Sequence, residues 1–189
     1  MRVVINPAGG PGCYDSTIAS WVSALQSNGI TVMGYVATGY TYDPLWQVQT
    51  QISDYLNWYG IHWVFLDEMQ NVYGYEWYYQ AVANYAHSNG VYVWGNPGTS
   101  VTTTYIGIFD NIGTYENSGL PSVSLIQSYT MGYGASGFSF ISYNAWIPSQ
   151  WYFTTMHQYV SWVYVTDNAN VWATLPSYMS QLMAEIAAA

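Results

Sequence analysis

The feature that most constrains the fold is a joint that recurs three times in the first half of the chain. A segment of helical periodicity ends at Asn28-Gly29, at Tyr59-Gly60 and at Asn89-Gly90, and a run of β-branched and aromatic residues follows each time. Glycine ends helices because it adopts the left-handed conformation at little cost. A repeated helix, turn and strand predicts βα units, whose strands pair in parallel.

Seven strand-like runs alternate with helical segments along the whole chain. The runs lie at 2–7, 30–38, 61–68, 91–97, 109–116, 137–144 and 162–167. The clearest helices cover 15–29, 43–60 and 73–90, and weaker ones cover 121–131, 148–160 and 175–189. Asp15 and Asp43 are the expected N-caps of the first two, with Pro44 at the first helical position. Seven or eight such units favour an α/β fold of the (β/α)8 TIM-barrel type, and the absence of a linker predicts one domain over 1–189.

The composition excludes several classes of partner. The chain has one Lys or Arg against ten Asp and Glu, for a formal net charge of −9. It therefore has no basic surface for nucleic acid or anionic membranes. No apolar run reaches the roughly 18 residues of a spanning helix, so we expect no membrane insertion. His62, His87 and His157 lack ligand spacing, so neither a metal nor another cofactor is expected.

The same composition bears on where the protein works. With its carboxylates protonated the chain would carry only a small positive charge, so self-repulsion in acid stays low. We therefore predict an extracellular or cell-surface protein, although the first residues show no apolar stretch long enough for a signal peptide. Cys13 is the one cysteine, so it forms no intrachain disulfide, and we expect it to be a buried thiol.

The ten acidic residues can be sorted by their position along the chain. Two cap predicted helices, three lie within helical segments where a solvent-facing position is the default, and Asp110 begins a strand. Four remain at the carboxyl ends of strands, which form the functional face of a (β/α) barrel. These four are Asp67, Glu68, Glu116 and Asp167.

The stretch IHWVFLDEMQ, residues 61–70, places two consecutive acids at the end of an apolar run. Neighbours on a strand point to opposite faces, so Asp67 and Glu68 both face a barrel only if the strand ends between them. Strands two apart are separated by roughly 10 Å, so this doublet and Glu116 could bring carboxyls to the roughly 5 to 9.5 Å of glycosidases. That range leaves retaining and inverting mechanisms open. The alternative is a helix-capping doublet and a solvated Glu116.

Amide and aromatic side chains at the strand ends suit a sugar ligand. Asparagine can orient sugar hydroxyls, and pyranose faces pack on aromatic rings. Ordinary core packing is the alternative for any single ring, and it applies to Tyr40, Trp94 and Trp146 as well. The predicted substrate-binding residues are Asn6, Tyr35, Asn96, Tyr115, Tyr143 and Asp167.

Six collinear segments, spanning about two thirds of the chain, resemble the spherulation-specific family 4 (spherulin 4-like) proteins. The characterised members form glycoside hydrolase family 135. The segments are VVINPAGGPG (3–12), VMGYVATGY (32–40), DYLNWYG (54–60), VFLDE (64–68), NPGT (96–99) and FDNIGTYE (109–116).

The resemblance implies a (β/α) barrel that cleaves an α-1,4-linked galactosaminogalactan or a similar amino-sugar polysaccharide, with retention. The family's essential acids match Asp67 and Glu68 in FLDE and Glu116 in YE. Family members usually carry another strand before the INPxxGPG segment, where this chain begins. The resemblance therefore implies a gap beside the first strand unless a rearrangement or another chain fills it, as in a homo-oligomer. The alternative function is a non-catalytic carbohydrate-binding or surface-structural barrel that assembles into multimers.

Overall fold

The structure is a computed structural model that describes residues 1–170, 172 and 174–189. The chain forms two compact units. Unit 1 comprises Met1–Asn96 and Thr102–Asp110, and unit 2 comprises Pro97–Val101 and Asn111–Ala189. No helix of the described residues is long and apolar enough to cross a membrane.

Unit 1 is built from four parallel strands and three helices in strict alternation. Its strands pair in chain order, with Val3 opposite Val32, Tyr35 opposite Phe65 and Phe65 opposite Trp94. The elements are β1 (Arg2–Ile5), α1 (Ser16–Ser27), β2 (Thr31–Ala37), α2 (Leu45–Tyr59), β3 (Trp63–Asp67), α3 (Glu76–Ser88) and β4 (Tyr92–Gly95).

Packing between β2 and α2 identifies the helix-covered face of unit 1. A Cβ on Gly34 would lie 2.4 Å from two ring atoms of Tyr55, so the Tyr55 ring rests directly on the backbone of β2. Gly34 therefore faces the helices, and its neighbours Met33 and Tyr35 face the other way. Burial of Val48, Ile52 and Tyr55 along one side of α2 completes this core.

Unit 2 has three parallel strands among its described residues, again alternating with helices. Ile112 lies opposite Phe138 and Phe140 opposite Val163. The Phe140 ring meets Tyr152 of the second helix at 6.4 Å, which identifies the helix-covered face. The elements are β5 (Asn111–Ser118), α4 (Val123–Thr130), β6 (Phe138–Tyr143), α5 (Gln150–Met156), β7 (Trp162–Val165) and α6 (Met179–Ala187).

All seven predicted strands and all six predicted helices are present in the described residues. Asp15 caps α1 as expected, its side chain accepting from the N–H of Thr17 at 2.7 Å. The N-cap assigned to Asp43 is wrong, because Pro44 is the N-cap and α2 begins at Leu45. The backbone of Asp43 is used elsewhere: its N–H donates to Thr38 at 3.2 Å, and its carbonyl accepts the Tyr78 hydroxyl at 2.6 Å.

The expectation for Cys13 is also wrong. Its thiol is exposed, because the segment between β1 and α1 runs over the surface of unit 1. The single domain predicted over residues 1–189 stays a prediction.

Candidate active site

Strand β3 ends between Asp67 and Glu68, which is the condition for both acids to face the same side. The strand ends at Asp67, and Glu68 follows with φ 53°. The left-handed conformation is rare for a residue with a side chain and costs about 1 to 3 kcal/mol. Because the chain turns at Glu68, strand alternation no longer sends the two carboxylates to opposite faces. Asp67 is half-buried, and Glu68 is exposed.

Asp67 lies on the face of unit 1 that points away from the helices. It is opposite Ala37, two residues beyond Tyr35 on β2, so Tyr35 and Asp67 share that face. The Asn96 side chain donates from Nδ2 to Oδ1 of Asp67 at 3.0 Å. Because Asn96 is buried and follows β4 directly, this bond holds the carboxylate in one orientation. Three predicted site residues, Tyr35, Asp67 and Asn96, therefore lie at this end of unit 1.

Thr38 holds the backbone of the doublet. This buried residue follows β2, and its hydroxyl donates to the Glu68 carbonyl at 2.7 Å and approaches the Asp67 carbonyl at 3.2 Å. Its N–H donates to the Asp67 carbonyl at 3.0 Å, and the Tyr40 N–H donates to the Glu68 carbonyl at 2.7 Å. The Tyr79 hydroxyl bonds to the Thr38 side chain in turn.

Sequence reasoning missed this role of Thr38. The available signal was a threonine at the end of an apolar strand, in the segment VMGYVATGY. A hydroxyl there can add a second bond to backbone carbonyls at the end of the neighbouring strand. The partner carbonyls lie about 30 positions later in the chain, so spacing alone did not identify them.

A row of aromatic rings lies below Asp67 on the same face. The Tyr35 and Phe65 rings stack with centroids 6.4 Å apart, and Phe65 meets Trp94 edge-on at 5.4 Å. These rings give the acids a firm apolar support. Asn6 is exposed beyond β1, and its Oδ1 accepts from the N–H of Gly10 at 3.0 Å. That bond stabilises the turn of the NPAGG segment, and Asn6 lies just beyond the paired residues of β1.

In unit 2, a β-bulge determines where Glu116 points. Gly113 lies opposite Ser139 and Glu116 lies opposite Ile141. Between these two pairs the chain advances three residues along β5 and only two along β6. Without the extra residue, alternation would turn Glu116 towards the helices. With it, Glu116 shares the face of Ile141, opposite to that of Phe140 and α5. The Glu116 N–H also donates to the Gly98 carbonyl at 2.9 Å.

The backbone of Gly98 lies beside the acid. Its φ is +66°, and an added Cβ would lie at an ordinary contact distance of 3.4 Å from the Cβ of Glu116. Another residue at this position would therefore strain the turn through its backbone conformation and would not collide with the acid. Gly98 belongs to the NPGT segment, and this φ gives a physical reason for its glycine.

The two predicted tyrosines of unit 2 lie in different environments. Tyr143 ends β6 opposite Ser118 and shares the face of Glu116. Tyr115 lies in the bulge, and its hydroxyl donates to the carbonyls of Ser118 at 3.2 Å and Gly119 at 3.0 Å. Burial, with Tyr143 close by, raises the pKa of Tyr115. Tyr115 therefore stabilises the end of β5, and a sugar-binding role for either tyrosine stays a prediction.

Asp167 is bonded to Ser177, which lies two residues before α6. Its carboxylate accepts from the Ser177 N–H at 3.0 Å and from the Ser177 hydroxyl. These bonds lower the pKa of Asp167. The carboxylate is therefore ionised and already holds two donors, and its predicted binding role stays a prediction.

The site residues offer carboxylates, amides, hydroxyls and rings. Such groups can transfer protons and bind a sugar without a prosthetic group. Among residues 1–170, 172 and 174–189, no group of three or more His, Cys, Asp or Glu side chains is placed to hold a metal ion.

Comparison with known proteins gives a consistent result. A family model described as spherulation-specific family 4 matches residues 1–186. Spherulin-4 of Physarum polycephalum is 30% identical over 201 residues, which cover 94% of this chain and 59% of that protein. The chain thus spans 59% of the length of this curated relative. The crystal structure of Aspergillus clavatus Sph3 in complex with GalNAc matches with a TM-score of 0.86 and 19% identity, over 98% of this chain and 85% of that one.

The likeness to Sph3 concerns the fold. Together with seven strands that alternate with helices in the described residues, it confirms the predicted α/β fold of the (β/α) barrel type with seven visible βα units.

Proposed function

Because the chain belongs to spherulation-specific family 4, we propose that it is a glycoside hydrolase acting on an amino-sugar polysaccharide of the galactosaminogalactan type. Two findings support a carbohydrate substrate: the family itself and the similar fold of Sph3, whose structure contains GalNAc. The formal net charge of −9 also suits a neutral or cationic glycan better than an anionic one. Such a polymer is met outside the cell, in line with the predicted extracellular location.

The proposed mechanism uses acid and base catalysis by carboxyl groups. One carboxyl protonates the glycosidic oxygen, and a second acts as the nucleophile or as the base for water. We assign these two roles to Asp67 and Glu116, and we assign to Glu68 the contact with the amino group of the sugar. Asn6, Tyr35, Asn96, Tyr115, Tyr143 and Asp167 are the proposed substrate-binding residues.

The turn at Glu68 is the observation that carries this proposal. An exposed glutamate gains nothing in stability from a positive φ, since the left-handed conformation is unfavourable for it. Strained backbone that the surroundings enforce is concentrated at functional sites. Here buried Thr38 and the N–H of Tyr40 enforce it through the Glu68 carbonyl.

The test replaces each acid with its amide. Asp67→Asn and Glu116→Gln should reduce release of oligosaccharides from galactosaminogalactan at least about a thousandfold, since each removes a reacting carboxyl. Glu68→Gln should raise KM on polymer with free amino groups more than it lowers kcat. Mass spectrometry of released products gives the readout. Glu185→Gln, in α6, is the matched control and should match the wild-type protein.

A second candidate is a carbohydrate-binding or surface-structural protein without catalysis. Large exposed rings favour it, among them Trp146 at 86% and Trp151 at 70% of full exposure. In that case the wild-type protein would bind the polymer and release no product, and Asp67→Asn would bind as the wild type does. A particle larger than the 21.2 kDa chain in light scattering would add the predicted self-association. Product release that depends on Asp67 and Glu116 excludes this candidate.

A further inference from the structure

Three large rings are exposed just before α2 and in the first turns of α2 and α3. Tyr42 is 91% exposed, Trp46 67% and Trp77 65%. We call these three residues the aromatic platform. Neighbouring side chains in the first turns of α2 and α3, such as Val48 and Tyr78, are buried in the core of unit 1. The core therefore offers apolar contacts at this edge, and the three rings do not use them. Large apolar groups that stay exposed together indicate a surface that binds something.

A direct contact joins the two chain segments that carry the three rings at one edge of unit 1. The Tyr78 hydroxyl donates to the carbonyl of Asp43 at 2.6 Å, so the start of α3 lies against the residue that precedes α2 by two positions. Tyr42 and Trp77 are the chain neighbours of these bonded residues. Trp46 is the second residue of α2 and Trp77 the second of α3, and the two helices pack side by side.

The platform continues directly into the candidate site. The turn that leads to Tyr42 begins at Tyr40, whose N–H donates to the Glu68 carbonyl at 2.7 Å. The Tyr40 carbonyl accepts from Nε2 of Gln70 at 3.2 Å. Tyr40 has φ 55° and Thr41 φ 77°, so the same strained turn that supports Glu68 also carries the chain out to Tyr42. A polymer bound near Glu68 would therefore meet the platform rings next.

Charge narrows the class of ligand. Arg2 is the one Lys or Arg in the chain, and its guanidinium lies 4.0 Å from the ring centroid of Trp63, at the amino end of β3. The platform lies at the carboxyl ends of the strands, where the nearby carboxylates are those of Asp43, Glu68 and Glu76, the residue before Trp77. Anionic polymers would be repelled there. Aromatic faces with carboxylates beside them suit pyranose rings that are neutral or carry amino groups.

We propose that Tyr42, Trp46 and Trp77 form an accessory glycan-binding surface, which holds the next stretch of an amino-sugar polysaccharide that is cleaved at Asp67 and whose amino group contacts Glu68. The proposal rests on the proposed function for the identity of the glycan. Its occupant is a polymer long enough to cover both sites, so a short oligosaccharide bound at the acids does not reach the platform.

The experiment separates polymer binding from chemistry. Tyr42→Ala, Trp46→Ala and Trp77→Ala are combined in one variant, and Phe replaces all three in a second variant that keeps the rings. Trp21→Ala is the matched control, because Trp21 is 64% exposed but lies in the middle of α1. Each set is also made with Glu116→Gln, so that co-sedimentation with insoluble, partly deacetylated galactosaminogalactan can be measured without hydrolysis. Circular dichroism confirms folding.

The Ala variant should lose polymer affinity by about two- to tenfold for each ring removed. It should cleave a soluble tetrasaccharide at the wild-type rate. The Phe variant and Trp21→Ala should sediment as their parent does. Unchanged sedimentation of the Ala variant would overturn the platform, as would a loss of equal size in Trp21→Ala. If the parent sediments through the platform but the wild type cleaves neither substrate, the proposed hydrolase activity fails and the platform stands.

Discussion

Replacing Thr38 with valine tests whether the backbone clamp positions the acidic doublet. Valine has nearly the shape of threonine, so the change removes the hydroxyl and leaves the packing of this buried position intact. The lost hydroxyl bonds are those to the carbonyls of Glu68 at 2.7 Å and Asp67 at 3.2 Å, and the one shared with Tyr79. The perturbation therefore acts on the site through the backbone and adds no bulk.

The size of the effect follows from which groups stay satisfied. Both carbonyls keep a backbone donor, from the N–H of Thr38 at 3.0 Å and of Tyr40 at 2.7 Å, so neither is left bare. The loss of a net hydrogen bond costs about 1 kcal/mol. The buried Tyr79 hydroxyl still accepts from the Gln70 N–H at 2.7 Å but loses its bond to Thr38, which adds about 1 to 2 kcal/mol. A total of about 2 to 3 kcal/mol corresponds to a Tm lowered by about 4 to 12 °C in a chain of this length.

The effect on activity should exceed the effect of lower stability alone. Glu68 pays about 1 to 3 kcal/mol for its positive φ, and the clamp opposes its relaxation. A shift of about 1 Å in a reacting group can cost about a hundredfold in rate. We therefore expect the kcat of Thr38→Val on galactosaminogalactan to fall at least about tenfold at a temperature where the variant is fully folded.

Two variants control for other causes. Thr38→Ser keeps the hydroxyl and should restore most of the kcat. Thr130→Val removes another buried threonine hydroxyl, bonded to the Gln127 carbonyl at 3.3 Å in α4, and should lower Tm without changing kcat. Amide hydrogen exchange at Glu68 reports the turn independently of activity. Wild-type kcat and unchanged exchange in Thr38→Val would refute the positioning role.

Three further predictions follow from local geometry. Because only glycine adopts a positive φ freely, Glu68→Gly should be about 1 kcal/mol more stable than Glu68→Ala in urea unfolding. Gly34→Ala should destabilise the fold by about 1 to 3 kcal/mol or more, seen as a lower Tm, because the new Cβ would lie 2.4 Å from Tyr55 ring atoms. Ser177→Ala should raise the pKa of Asp167 in a carboxyl ¹³C NMR titration. Since that pKa is lowered in the fold, its stabilising effect is present above the unfolded pKa of about 4. It is lost as pH falls through the folded pKa, and Ser177→Ala should weaken this loss.

The fold was predictable because its signals are local. Each βα joint carries its own glycine, and Gly60 adopts the left-handed C-cap of α2 as the pattern indicated. The N-cap of α2 was placed one residue early because Asp43 has the right chemistry for a cap. Its backbone is engaged by Thr38 and Tyr78 instead, and neither contact is local in the sequence. The sequence pattern predicted that α2 exists, whereas tertiary contacts determine the residue at which it begins.

The candidate site was predictable in residue type and less so in orientation. Because side chains alternate along a strand, only one of Asp67 and Glu68 could face the barrel interior unless the strand ended between them. The sequence has no glycine or proline there to mark such an end. The positive φ of Glu68 supplies it, and the donors that enforce it come from Thr38 and Tyr40 on another strand's loop. A strained conformation that opposes the local preference of glutamate cannot be recognised from that preference.

The orientation of Glu116 could not be predicted from the sequence either, because it depends on the register between β5 and β6. A residue count from Gly113 would place its side chain on the helix-covered face of β5, where a carboxylate would be costly. The structure avoids this with one extra residue, because Gly113 and Glu116 face strand partners only two positions apart. Tyr115 holds the resulting bend through its two bonds to backbone carbonyls. Tyr115 therefore supports the bulge that orients the acid, in addition to its proposed place among the substrate-binding residues. Tyr115→Phe, which keeps the ring and loses both bonds, should weaken catalysis through Glu116 more than it weakens sugar binding.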